Sequence, residues 1–130
     1  MRTEIEIEFL GPLGDGVANG PRGPVFVDRT APGDRLTVRL GRDAQGIVRG
    51  EVAEVLSASR FRQPPPCPHY EKCGNCTLQH VQESFYRDWK QHLVKEALLR
   101  QALIPQKWET PVFVPAATRR RLTFAALRVG

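Results

Sequence analysis

Three cysteines, the only ones in the chain, fall within ten residues at Cys67, Cys73 and Cys76. A C-x5-C-x2-C spacing confines three thiols to one loop, and the two-residue gap of the last pair lets those sulfurs turn toward a common point. Pro64-Pro65-Pro66 stiffen the approach and Gly74 frees the tip. An odd count argues against a disulfide framework, and the acidic start at Glu4, Glu6 and Glu8 does not read as a secretory leader. In a reducing cytosol such a cluster is a metal or redox site, so a cytoplasmic protein is expected. Two metal chemistries stay open on the residues alone. His80 follows Cys76 with three residues between and would complete a Cys3His structural zinc set, with His69 a further nitrogen inside the loop. An iron–sulfur cluster would need a fourth thiolate from beyond Gly130.

A length of 130 residues suits one domain with an appendage, or two very small ones. No apolar run approaches the roughly 18 residues of a membrane span. The net charge of +5 is unevenly divided. Residues 1–56 hold seven Arg against nine Asp or Glu, whereas residues 57–130 hold twelve Arg or Lys against five acids. A polyanion is therefore expected to meet the C-terminal half, with salt-dependent affinity.

Residues 4–10 alternate Glu4, Ile5, Glu6, Ile7, Glu8, Phe9, a half-buried strand pattern. Short apolar runs follow at Val17-Ala18, Val25-Phe26-Val27, Leu36 to Leu40, and Ile47-Val48 through Val55-Leu56. Gly11-Pro12-Leu13-Gly14-Asp15-Gly16, Pro32-Gly33-Asp34 and Gly41-Arg42-Asp43 supply turns between them. Five short strands with glycine-rich turns predict an all-β barrel, OB-like, over residues 1–60. From Val81 to Leu103 the period becomes helical, with Val81, Phe85, Trp89, Leu93 and Ala97 on one stripe and Pro105 closing it. That stripe reads as packing surface. Lys90 falls among the polar positions. Arg119-Arg120-Arg121 then open a predicted strand through Val129, and no acid occurs from Thr110 onward.

Cys67-Pro68, Cys73-Gly74-Asn75-Cys76, Gln79-His80, Phe85 and Lys90 together resemble the signature of the bacterial 23S rRNA (uracil-C5)-methyltransferases. Asn75 stands where that pattern has a second glycine, a residue type that tolerates left-handed backbone. The first sixty residues look like a TRAM domain, through Gly14-Asp15-Gly16-Val17-Ala18, Phe26-Val27, Ala31-Pro32-Gly33-Asp34 and Ser59-Arg60. Methylthiotransferases carry a similar barrel at the other end and space their cysteines C-x3-C-x2-C, so order and spacing set them aside. Related tRNA uracil methyltransferases lack both barrel and cluster.

The resemblance covers nearly the whole chain but only the front third of a family member. It implies an N-terminal portion with three parts: a TRAM barrel at 1–60, an iron–sulfur loop at 61–80, and a helix with the beginning of an α+β RNA-binding domain at 81–130. It implies Cys67, Cys73 and Cys76 as three of four ligands of a 4Fe–4S cluster, and Arg119, Arg120 and Arg121 as RNA contacts. The whole protein would use S-adenosyl-L-methionine to methylate C5 of a uridine in ribosomal RNA, acting as a monomer in the cytoplasm. In the family a cysteine adds to C6 of a uracil taken out of its stack, and a base removes the C5 proton. Those residues belong to a later Rossmann-like domain, so no catalytic residue is assigned here. The alternative is a stand-alone RNA-binding module with a Cys3His zinc site using His80.

Overall fold

The computed structural model describes residues 2–123. Six strands come first: β1 (Arg2–Glu6), β2 (Phe9–Leu10), β3 (Gly16–Gly20), β4 (Gly23–Val27), β5 (Arg35–Arg42) and β6 (Val48–Ser57). Two helices follow, α1 (Tyr70–Cys73) and α2 (Glu83–Arg100). The strands form one sheet in the order β1-β5-β6-β4-β3-β2, antiparallel except for the parallel β4–β6 pair. Its two outermost strands, β1 and β2, are successive pieces of the same run, separated only by Ile7 and Glu8.

The alternation at the start does what its period dictates. Ile5 and Ile7 are buried while Glu4, Glu6 and Glu8 face solvent. Ile5, Ile7, Ala18, Val25, Val27, Leu36 and Val38 form the core. The predicted single strand over 4–10 is two, because the backbone turns away at Ile7: its N–H bonds the Asp34 carbonyl, and the Glu8 N–H bonds that of Val17. β6 is longer than its apolar runs suggest and carries two register irregularities against β5.

Glycines place the thiol loop against the sheet. Gly14 has φ +90°, and a Cβ there would sit 2.9 Å from Thr77 Cγ2 and 3.5 Å from Leu78. The turn at 11–16 therefore packs directly on residues 77 and 78.

α2 starts two residues later and ends earlier than its periodicity predicts. The Ala102 N–H bonds the Leu99 carbonyl and the Leu103 N–H that of Leu98, while Ala102 adopts φ 55°. These are the bonds of a Schellman motif, which ends the helix before Pro105 is reached. Only the front of the stripe is covered. Trp89 is buried with its indole N–H 3.3 Å from the Leu10 carbonyl, and Phe85 packs on Phe61 at 4.7 Å. Val94, Leu99, Leu103 and Ile104 remain exposed. The strand expected from Arg119 is absent among the described residues, since 119–123 carry neither strand nor helix; its continuation to Val129 lies outside them. Among the described residues no helix is long and apolar enough to cross a membrane.

Candidate metal loop and nucleic-acid interface

The loop at 61–82 is closed at its base like a short ladder. Arg62 and Val81 form an antiparallel bridge. The Gln63 N–H bonds the His80 carbonyl at 2.8 Å, and the Gln82 N–H bonds that of Phe61 at 2.8 Å. Higher up, the Gln79 side-chain oxygen accepts from the Cys67 N–H at 3.1 Å. Cys67 is half-buried; Cys73, at the end of α1, and Cys76 are exposed. Gly74 makes the turn between them with φ +73°, so the left-handed residue is the glycine and Asn75 does not need that conformation.

The three thiols are unpaired and suit a soft metal centre in kind. Among the described residues no three His, Cys, Asp or Glu side chains converge closely enough to hold a metal ion. The donor set therefore fits an iron–sulfur cluster in chemistry but is not preassembled around one.

His80 is not part of it. Its ring is buried, with Nε2 2.9 Å from the Thr30 carbonyl and Nδ1 2.7 Å from the Tyr70 hydroxyl. A carbonyl only accepts, so Nε2 carries the proton and both ring nitrogens are engaged. Burial pushes the His80 pKa down, against the Thr30 carbonyl and Asp34, which favour protonation; Arg62 and Arg29 push the same way as burial. The alternative Cys3His zinc set thus loses its histidine. His69, the other nitrogen considered, is exposed just ahead of α1. The Tyr70 hydroxyl also lies 2.6 Å from the Thr77 carbonyl; its single proton is shared between that carbonyl and His80 Nδ1, so the phenol sits between the second limb of the thiol loop and the histidine.

A second tie was not foreseen from sequence. The Asp34 carboxylate is fully buried and accepts from the Ala31 N–H at 2.6 Å, the Ser59 N–H at 2.8 Å and Arg62 Nε at 2.7 Å. Asp34 belonged to a turn signal and Ser59 to the TRAM resemblance; their meeting across 25 residues of chain had no signal in spacing. Arg62 also donates to the Arg29 carbonyl at 3.1 Å.

Positive charge is arranged unevenly around this frame. Arg49 is enclosed by Asp15, Asp43 and Asp28, and Arg39 pairs with Glu51. Arg119, Arg120 and Arg121 are exposed, and none has a carboxylate partner among the described residues. Arg119 Nε donates to the Arg121 carbonyl at 2.9 Å. Lys90 lies over the Trp89 and Tyr86 rings, at 5.2 and 5.7 Å.

No protein-family model matches the chain. Individual proteins do. A Brucella suis protein named as an uncharacterized RNA methyltransferase is 42% identical over 123 residues, covering 95% of this chain and 28% of the relative. A Mesorhizobium japonicum protein of the same description is 36% identical over 128 residues, 98% of this chain and 29% of the relative. A 23S rRNA (uracil(1939)-C(5))-methyltransferase of Halomonas elongata is 39% identical over 103 residues, 78% of this chain and 21% of its own length. The chain thus spans less than a third of the curated relatives it matches. Over nearly its whole length, this chain is related to one segment of the RNA methyltransferases, a group that includes the 23S rRNA (uracil-C5) enzymes.

Proposed function

We propose that this chain is the N-terminal part of a methyltransferase that transfers a methyl group from S-adenosyl-L-methionine to C5 of a uridine in 23S rRNA. It supplies RNA contact and three thiolates; the reacting groups lie elsewhere in the protein. Its likeness to RNA methyltransferases across both sheet and thiol loop is the observation that carries this reading. The sheet is read as a TRAM-type barrel, because its two edge strands are consecutive pieces of one run.

Cys67, Cys73 and Cys76 would hold three corners of a 4Fe–4S cluster, the fourth thiolate coming from outside the chain. When bound, that cluster supplies a fixed crosslink between α1 and the 74–78 turn. Arg119, Arg120 and Arg121 meet RNA phosphate from a surface where no acid neutralises them. The protein works as a cytoplasmic monomer on ribosomal RNA. The complete gene product, given labelled S-adenosyl-L-methionine and 23S rRNA lacking the modification, is expected to place label on C5 of one uridine. Label on no RNA, or on tRNA alone, overturns the reading.

A further inference from the structure

Among the described residues, three non-glycine residues have positive φ: Arg29, Ala102 and Ala117. Ala102 ends α2 and Ala117 sits in the turn at 116–117. Arg29 closes the turn at 28–29 that follows β4, and there it holds φ 55°, a region unfavourable for any residue with a Cβ. The conformation is held by two bonds from the loop and one within the turn. Arg62 Nη2 donates to the Arg29 carbonyl, His80 Nε2 donates to the next carbonyl, and the Thr30 hydroxyl bonds back to Val27. Strain persists where surroundings over-determine it, and such places cluster at working sites.

Arg29 overlooks a groove of about 850 Å³ between the sheet and the base of the thiol loop. Phe26, Val52 and Val55 give it an apolar lining. Of its four arginines, Arg39, Arg49 and Arg62 each have a carboxylate within 3.2 Å. Arg29 has none among the described residues and stands exposed, 5.9 Å above the Tyr70 ring.

We propose that this groove binds a single-stranded segment of RNA, with Arg29 as its phosphate contact. The turn is held strained so that the guanidinium stays over the groove. Apolar and aromatic lining accepts base faces, and a free guanidinium accepts phosphate. Asp28, Glu51 and Glu71 also line the groove, which keeps its net charge low and disfavours the denser charge of a duplex. The inference rests on the reading of this chain as part of an RNA methyltransferase.

The test uses fluorescence anisotropy with a labelled, unstructured RNA dodecamer and four proteins: the full chain, Arg29→Gly, Arg29→Asn, and the triple Arg119→Ala, Arg120→Ala, Arg121→Ala. Both Arg29 variants should raise Kd about five- to tenfold and lower the salt slope by about 0.7, as for one lost phosphate contact on a single strand. Their melting temperatures should be unchanged or higher, because Gly and Asn accept φ 55° more readily than Arg. If Kd and slope are unmoved by Arg29 changes while the triple variant loses binding, the groove assignment fails and the wider reading stands. If the unaltered chain binds no RNA, both fail. A lowered melting temperature in both Arg29 variants, matching the loss of binding, would reduce Arg29 to a structural part and overturn the assignment. Displacement of the RNA by an acidic peptide as effectively as by unlabelled RNA would hand the groove to a protein partner instead.

Discussion

Replacing Asp34 with Asn removes one oxygen and one charge from a site with no solvent exposure. The native carboxylate takes three donors: two backbone N–H groups and the Arg62 guanidinium, whose side chain is only 26% exposed. An asparagine amide has one acceptor oxygen, so its NH2 must face at least one of those donors. The Arg62 charge then loses its partner. Breaking a buried pair in this way costs about 3–5 kcal/mol. That is a large share of the roughly 5–15 kcal/mol that holds a domain folded. For a domain of this size it corresponds to a fall in melting temperature of about 10–20 °C. Urea unfolding followed by circular dichroism gives the number, and the double-mutant cycle with Arg62→Ala isolates the pair. We expect a coupling of at least about 1 kcal/mol. A cooperative Asp34→Asn unfolding curve whose midpoint matches the parent's would refute the reasoning, because it would mean that the carboxylate is not the node joining sheet and loop.

His80 makes stability depend on pH. Burial holds its folded pKa below the ordinary histidine value, so the unfolded chain takes up the proton first as pH falls. Stability should be full above about 6.5 and decline as pH drops below it, and His80→Gln should flatten that part of a urea-midpoint profile. Gly14→Ala forces a Cβ to within 2.9 Å of Thr77 Cγ2 at φ +90°, and should cost about 1–3 kcal/mol by thermal melting. Adding Thr77→Ser, which removes that methyl group, should recover part of the loss but not the backbone strain. Ala102→Gly should stabilise by about 0.5–1 kcal/mol, since the C-terminal bonds of α2 place that residue at φ 55°; an unchanged melting temperature would count against the motif.

What sequence could reveal was whatever repeats or sits close by. The isoleucine alternation placed Ile5 and Ile7 inward, and the order of apolar runs located β3 to β6, because a strand's period is local. The proline and glycine signals located the thiol loop for the same reason. Contacts between distant residues stayed hidden. His80 looked like a metal ligand because it lies near Cys76 in sequence, yet its partners are Tyr70 and Thr30, the latter 50 residues away. Asp34 was read as turn punctuation and Ser59 only as part of a family resemblance, yet they form one hydrogen-bonded unit with Arg62. Arg29 gave no signal at all, since neither its backbone angle nor its freedom from carboxylates can be inferred from neighbours in the chain. The arginine run was legible as charge but not as a strand, because among the described residues nothing pairs with it.

The thiol loop is where the account is most exposed to test. The complete gene product should be purified without oxygen and assayed for iron, acid-labile sulfide and zinc, beside a Cys76→Ala variant. A brown protein is expected, with about four irons and four sulfides per chain, lost in the variant, and no bound zinc. A colourless protein carrying one zinc per chain, or an iron content indifferent to Cys76, would contradict it.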